Sequence, residues 1–194
     1  MISGEGGALL VNDEAFIERA EIIREKGTDR GKFFRGEIDR YTWVDIGSSY
    51  LPGELIAAFL FAQLEETARI NAKRKELCRN YFDAFRIIEE KGLVSLPVHS
   101  GTDAGNGHMF FLVTKSIEER TELIAFLRER GVMAIFHYVP LHSSPAGLKY
   151  GRTEGQPEIT SRISSTLLRL PLYYEMTAAE QRRVIDGVLA FYKA

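Results

Sequence analysis

The feature that most constrains this chain is a long stretch of helical spacing in the middle of its 194 residues. From Gly53 onward apolar residues recur every three or four positions, and no helix breaker appears before Gly92. Pro52 suits the first turn of such a helix. The apolar positions are Leu55, Ala58, Phe59, Ala62, Leu64, Ile70, Leu77, Tyr81, Phe85 and Ile88. The spacing therefore predicts a helix over residues 53–91, long enough to link two packing units.

The segment before this helix contains a short predicted strand, a helix and a long irregular stretch. Residues 6–11 are apolar and predict a strand. Asp13 is a suitable cap for a helix from Glu14 to Lys26. Residues 28–50 follow neither the helical nor the strand period but are rich in arginine, glycine and aromatic residues. Because long irregular loops in compact domains are usually functional or disordered, this stretch is the first candidate site.

The segment after Gly92 alternates between strand and helix patterns. Strands are predicted over residues 93–96, 109–114 and 132–136, and a second long loop over residues 140–157. Two Ser/Thr-x-x-Glu capping boxes, one at Ser116 and one at Thr177, predict the starts of two helices. A further helix is predicted over residues 158–168. The mixture predicts an α/β fold.

Composition and charge exclude several classes of protein. The net charge of -2, from 25 basic and 27 acidic residues, provides no electrostatic reason for a nucleic-acid partner. The longest apolar run, residues 55–62, is far shorter than the roughly 20 residues needed to cross a bilayer, and the first residues do not resemble a signal peptide. The single cysteine, Cys78, cannot form an intrachain disulfide, which favours a cytoplasmic location. Its helical position favours packing over nucleophilic catalysis.

Two irregular loops contain the residues best suited to ligand binding. They combine arginines and hydroxyls with aromatic rings, which suits an anionic ligand with a flat or sugar-like body. The alternative interpretation is that the aromatic rings only hold the loops against the core. The four histidines, at positions 99, 108, 137 and 142, lack the close spacing of zinc ligands, so we expect no metal site.

Several segments, taken in order, resemble one enzyme family. These are Gly4-Glu-Gly-Gly-Ala-Leu-Leu-Val11, Leu51-Pro-Gly-Glu-Leu-Ile-Ala-Ala58, Gly107-His-Met-Phe-Phe-Leu-Val113, His137-Tyr-Val-Pro-Leu-His-Ser-Ser-Pro-Ala-Gly147 and Leu168-Arg-Leu-Pro-Leu-Tyr-Tyr-Glu-Met-Thr177. The chain resembles the DegT/DnrJ/EryC1/StrS sugar aminotransferases, which depend on pyridoxal 5'-phosphate (PLP). Within that family the run from Trp43 to Pro52 is most similar to the branch that aminates a dTDP-4-keto-6-deoxyhexose.

The resemblance implies the C-terminal part of the type I fold of PLP-dependent transferases. Residues 1–52 would be the end of the large domain with an active-site loop, residues 53–91 the linking helix, and residues 92–194 the small α/β domain. The family's Schiff-base lysine precedes the Glu-Gly-Gly turn, so its position would fall before Met1. We therefore expect no catalytic residue in this chain and no transamination by the chain alone.

The resemblance also implies binding residues. Ser49 stands where many members have an asparagine that reaches the partner's cofactor phosphate, so Ser48 and Ser49 are expected to bind the cofactor. Substrate contacts are expected from Tyr41, Trp43, His108, His137 and His142. For the three histidines the alternative is a structural role in holding loops.

The partners implied are a nucleotide-linked sugar, glutamate as amino donor and a second copy of the intact enzyme. The products of the most similar branch enter enterobacterial common antigen and related cell-surface polysaccharides, including lipopolysaccharide. Since the chain would expose apolar surface on its own, we expect it to self-associate. The rival hypothesis is a non-catalytic α/β module that binds a small molecule or regulates another protein.

Overall fold

The computed structural model describes residues 2–98 and 105–193. The chain divides into two compact units, with the boundary after Thr67. In the described part, none of the helices is both long and apolar enough to cross a membrane.

The first unit is helical. Its helices are α1 (Ile17–Arg24), α2 (Arg30–Phe34) and α3 (Glu54–Glu65). A 3-10 turn at Glu14–Phe16 precedes α1, and the Asp13 carboxylate accepts a hydrogen bond from the Ala15 backbone N–H at 2.9 Å, as the predicted cap requires. The prediction of a strand over residues 6–11 is wrong. No strand pairs with this segment within residues 2–67, and an extended segment needs a neighbour for its backbone hydrogen bonds.

The predicted single helix over residues 53–91 is two helices in the structure. The second of them, α4, spans Thr67–Glu90. Glu66 leaves the helical conformation between α3 and α4, with φ of -92° and ψ of 7°. The Thr67 hydroxyl donates a hydrogen bond to the Leu64 carbonyl oxygen at 2.6 Å across this break. Side-chain bonds of this kind compete with the regular helical ladder, and apolar spacing alone does not reveal them.

The second unit is built on a three-stranded antiparallel sheet. Its strands are β1 (Phe110–Val113), β2 (Ile135–Phe136) and β3 (Leu167–Leu170), in the order β1-β3-β2. The register pairs Phe110 with Leu170 and Phe136 with Leu168. The remaining helices are α5 (Ile117–Glu129), α6 (Pro145–Tyr150), α7 (Glu158–Thr166) and α8 (Ala178–Phe191). The α/β prediction is confirmed.

The helix starts predicted in this unit are confirmed, whereas its strands are shorter than predicted. Ser116 caps α5, and Thr177 with Glu180 forms a complete capping box on α8. Residues 93–96 form only one bridge, between Ser95 and Val113. The predicted loop over residues 140–157 contains α6, capped by the Ser144 hydroxyl. The length of a strand depends on how many residues of a neighbouring strand can pair with it. A local sequence pattern does not give this information.

The core of the second unit lies where α4 meets the sheet, α5 and α8. The buried face of α4 carries Leu77, Tyr81, Phe85 and Ile88. The Tyr81 and Phe85 rings lie 5.7 Å apart, and both contact the Phe110 ring. The buried Tyr81 hydroxyl donates to the Pro171 carbonyl oxygen at 2.8 Å, so this polar atom is satisfied. Leu123, Leu127, Val184 and Val188 close the core from α5 and α8.

Two neighbouring isoleucines of α4 provide a test of this core. Ile88 is fully buried, whereas Ile87 is 46% exposed. We expect Ile88→Ala to lower the free energy of unfolding by about 2–5 kcal/mol, because it removes buried methyl groups and leaves a cavity. Ile87→Ala makes the same chemical change in the same helix and should cost less than about 1 kcal/mol. Urea denaturation of both variants measures the difference, and equal losses would contradict the proposed core.

Candidate functional site

In the first unit, backbone hydrogen bonds attach the candidate loop to α1. The Ser48 N–H donates to the Ile23 carbonyl oxygen at 2.9 Å, and the Lys26 N–H donates to the Ser48 carbonyl oxygen at 3.0 Å. Isolated bridges also join Glu25 to Ser49 and Thr28 to Trp43. The stretch predicted as a loop therefore contains α2 and a segment over residues 42–50 that runs beside the end of α1.

Two glycines allow this close backbone approach. A Cβ atom on Gly27 would lie 1.7 Å from the Asp45 carbonyl oxygen, and one on Gly47 would lie 2.1 Å from the Gly27 backbone nitrogen. Gly27 also has a φ of 75°, in the left-handed region that disfavours side chains. Glycine at both positions is thus required by the local structure.

The aromatic residues of the loop divide between packing and exposure. The Arg30 guanidinium lies 5.0 Å from the Phe34 ring and 5.7 Å from the Tyr41 ring. The Tyr41 ring also meets the Phe33 ring edge-on at 5.7 Å, so Tyr41 packs on α2. Trp43 is 75% exposed. Tyr41 therefore agrees with the alternative interpretation, in which the aromatic rings hold the loop in place. Most of the Trp43 surface remains accessible.

The hydroxyls of Ser48 and Ser49 are accessible hydrogen-bond donors. Both residues are exposed, and neither hydroxyl forms a hydrogen bond to any residue in 2–98 or 105–193. The bonds that hold this segment in place use its backbone atoms. The side chains are therefore available for a ligand, including a phosphate group.

Arg35 of the loop and Arg19 of α1 are already paired. Arg35 donates to Glu37 at 2.7 Å and to Glu21 at 3.0 Å, and Arg19 pairs with Asp45. The hydrogen bond from Arg35 lowers the pKa of the Glu37 carboxyl, so this acid stays ionised. The Arg35 guanidinium is thus already bound to two carboxylates. Arg30, between its two rings, has a buried Nε without a partner in the described residues.

In the second unit, His108 precedes β1 at a point held by α4. Arg74 of α4 donates to the carbonyl oxygens of Gly107, at 3.0 Å, and His108, at 2.6 Å. The His108 backbone N–H donates to the Asn106 side chain at 2.9 Å. These bonds hold the backbone and leave the His108 side chain exposed.

The other two candidate histidines follow β2. His137 is half-buried, its ring centroid lies 5.4 Å from that of Tyr138, and its Nδ1 has no partner among the described residues. The His142 Nε2 lies 3.1 Å from the Ser161 hydroxyl of α7. This contact agrees with the alternative interpretation, in which the histidine holds its loop in place. Across residues 2–98 and 105–193, no group of three or more potential metal ligands is found. His99 lies outside the described residues.

Two arginines of the second unit, Arg74 and Arg169, were not among the predicted site residues. Arg169 lies between the buried residues Leu168 and Leu170 of β3, its guanidinium is 5.8 Å from the Tyr138 ring, and its Nε is buried without a partner in the described parts of the chain. A charge between two strand leucines is the signal that could have identified Arg169. For Arg74, the basic residues inside the long apolar pattern were the available signal.

Cys78 is buried, and its thiol lies 4.0 Å from the Met109 carbonyl oxygen. Burial raises the pKa of this thiol, an effect that Arg74 partly opposes. A protonated, buried thiol is a poor nucleophile, in agreement with the packing role predicted from its position.

The chain is similar to known proteins over nearly its whole length. The profile of the DegT/DnrJ/EryC1/StrS aminotransferase family matches residues 1–189. This chain belongs to that family. Its relatives include the pleiotropic regulatory protein of Geobacillus stearothermophilus, 27% identical over 98% of this chain, and the dTDP-3-amino-3,4,6-trideoxy-alpha-D-glucose transaminase of Streptomyces venezuelae, 28% identical over 95%.

Solved structures of family members have the same fold. S. venezuelae DesV in complex with a ketimine intermediate superposes with a TM-score of 0.79 at 26% identity, covering 95% of this chain and 46% of DesV. The predicted C-terminal part of the type I fold is confirmed. The two relatives named above are covered over 48% and 45% of their length, so the chain spans about half of each. DegT/DnrJ/EryC1/StrS aminotransferases are PLP-dependent, and solved structures with this fold include PLP and pyridoxamine phosphate forms.

Substitution of Gly47 tests the attachment of the loop to α1. We expect Gly47→Ala to separate the two backbones, because its Cβ would overlap the Gly27 nitrogen. Hydrogen exchange at the Ser48 and Lys26 amides should then accelerate at least about tenfold. Gly53→Ala is the matched control, since Gly53 has a φ of -66° and open space around it. Unchanged exchange in Gly47→Ala would contradict this account.

The reactivity of Cys78 tests its burial. We expect a thiol-specific disulfide reagent at pH 7 to modify the folded chain at least about 100-fold more slowly than the urea-unfolded chain, because burial restricts access and raises the thiol pKa. The rate is followed by the absorbance of the released reagent thiol. Rapid modification of the folded chain would show that Cys78 is accessible.

Proposed function

We propose that this chain supplies the second half of a PLP-dependent aminotransferase acting on a nucleotide-linked sugar. The observation that carries the proposal is the family match over residues 1–189. The names of several relatives, among them dTDP-sugar transaminases from Streptomyces, Saccharopolyspora and Aneurinibacillus, support the sugar substrate. The finer proposal is transfer of an amino group from glutamate to a dTDP-4-keto-6-deoxy sugar, which rests on the resemblance of residues 43–52 to that branch.

The first unit of the chain fits the phosphate of the cofactor. Ser48 and Ser49 are exposed, and their hydroxyls have no partner within residues 2–98 and 105–193, so both can donate to phosphate oxygens. The anchoring of their backbone to α1 would keep the two donors in place. The chemistry supplied by bound PLP is temporary storage of the donor's amino group between the two half-reactions.

Each unit has its own proposed substrate-binding residues. Trp43, with most of its surface accessible, would stack on a flat base or sugar face, and Tyr41 would present its hydroxyl beside it. In the second unit, the exposed His108 ring would bind a sugar hydroxyl or diphosphate oxygen, and His137 would do so through the exposed part of its half-buried ring. His142 would share its Nε2 between Ser161 and the substrate.

We further propose that these 194 residues do not transaminate by themselves. The family's anchoring lysine lies ahead of a Glu-Gly-Gly turn, which here is residues 5–7. The chain has eight lysines, none at that place, at positions 26, 32, 73, 75, 91, 115, 149 and 193. The intact enzyme would act as a cytoplasmic homodimer in the synthesis of cell-surface polysaccharide.

A second candidate function is a non-catalytic regulatory module. The names of two relatives favour it, a "pleiotropic regulatory protein" and the "sensory transduction protein EryC1" of Saccharopolyspora erythraea, 27% and 28% identical to this chain. A regulatory module would bind a small molecule without converting it, so an activity measurement separates the two candidates.

The test combines this chain with the lysine-bearing first half of a family aminotransferase, PLP, glutamate and dTDP-4-keto-6-deoxyglucose. We expect an amino sugar nucleotide, detected by mass spectrometry, only when both polypeptides are present. Ser48→Ala with Ser49→Ala should weaken PLP binding by the reconstituted pair about tenfold, whereas Ser164→Ala, in α7, should leave it unchanged.

The chain alone provides the second arm of this test. After incubation with PLP and borohydride, no single lysine should carry the cofactor. Amino sugar formed by the chain alone would contradict its proposed dependence on a second half. A reconstituted pair that binds PLP but aminates no dTDP-keto sugar would instead favour the regulatory candidate.

A further inference from the structure

The second unit has a surface groove between the end of α5 and one face of α8. Its volume is about 490 Å³. The groove exists because its floor has short side chains, at Ala179, Gly187 and Ala190. A Cβ on Gly187 would lie 2.9 Å from Leu127 Cδ2, so glycine also allows α5 and α8 to pack closely there.

Three arginines and one aspartate supply the charge of this groove, which we call the arginine groove. Arg182, Arg183 and Asp186 come from successive turns of α8, and Arg130 from the end of α5. Their formal charges sum to an excess of two positive charges. Neither Arg182 nor Arg183 forms a hydrogen bond or ion pair with any residue that the structure describes. Glu180 attracts Arg183 over a longer distance, which helps to lower the pKa of the Glu180 carboxyl. The charge of the groove remains positive and favours an anion.

Arg130 is held in place on the opposite side of the groove. Its guanidinium carbon lies 3.4 Å from the centroid of the Phe126 ring, and its Nη1 donates to the Phe126 carbonyl oxygen at 3.0 Å. The nearest carboxylate contact is with Glu129, at 4.0 Å. The remaining N–H groups of Arg130 are therefore free to bind a ligand without a large ordering cost.

The carboxylate of Glu180, a nearby acid on α8, already has hydrogen-bond donors. The Glu180 carboxylate accepts hydrogen bonds from the Thr177 N–H, at 2.8 Å, and hydroxyl, at 2.7 Å, in the capping box. It therefore has fewer acceptor sites left for Arg183. Asp186 is the acid that lines the groove itself, and it should oppose the binding of an anion.

We propose that the arginine groove binds the diphosphate group of a small molecule. A guanidinium binds a phosphoryl group through two parallel hydrogen bonds. Three guanidiniums can therefore use more acceptor oxygens than the two that one carboxylate has. A diphosphate has enough terminal oxygens and a compact negative charge that matches the positive excess of the groove. The groove lies wholly in the second unit, so the proposal does not depend on the aminotransferase function.

The test is calorimetric titration of the full chain with inorganic pyrophosphate, without divalent cations and at low salt, where electrostatic binding is strongest. We expect saturable binding that Arg182→Ala weakens at least fivefold. Arg128→Ala is the matched control, because it removes one exposed charge from the last turn of α5 outside the groove, and it should change the affinity by less than twofold. Asp186→Asn should tighten binding about threefold.

A titration with uridine diphosphate shows whether the groove recognises the diphosphate group or the rest of the nucleotide. An affinity within about threefold of that for pyrophosphate supports recognition of the diphosphate, whereas binding of the nucleotide alone would overturn the proposal. Absence of saturable binding, equal weakening by Arg128→Ala and Arg182→Ala, or weaker binding by Asp186→Asn would each overturn it as well. Circular dichroism confirms that each variant is folded before its affinity is interpreted.

Discussion

The packing of α4 against β1 holds the second unit together. Tyr81 and Phe85 place two rings against Phe110, and the Tyr81 hydroxyl reaches the Pro171 carbonyl just after β3. One helix face thereby contacts an edge strand and the segment that follows the central strand. Because α5 and α8 cover the same core, the groove between them and the turn that carries His108 are positioned by this packing.

The sequence predicted those elements whose signals are local. The caps at Ser116 and Thr177 and the apolar face of α4 depend on residues within a few positions of each other, and the structure contains all of them. The strand predicted over residues 6–11 and the full strand over 93–96 depend on partners elsewhere, and both predictions were wrong. The helix break at Glu66 was also missed, because apolar spacing continues through it.

The candidate site was predictable by residue type but not by geometry. Arginines, aromatic residues and hydroxyls in an irregular segment indicated residues 28–50, and the resemblance selected Ser48 and Ser49. The spacing could not reveal that Tyr41 packs on α2 while Trp43 is exposed, or that Arg35 is already paired with two acids. The requirement for glycine at 27 and 47 arises from two backbones distant in sequence, so it appears only in the fold.

The two units differ in how their structures are stabilised. The second has a buried core, whereas no apolar side chain of residues 2–67 is buried, and α3 exposes residues such as Leu55 at 89% and Phe61 at 64%. Backbone ordering costs roughly 1–2 kcal/mol per residue, which hydrophobic burial normally offsets. Surface ion pairs contribute at most about 1 kcal/mol each, so those around Arg35 cannot replace a core. The first unit therefore has little hydrophobic burial of its own to offset this cost.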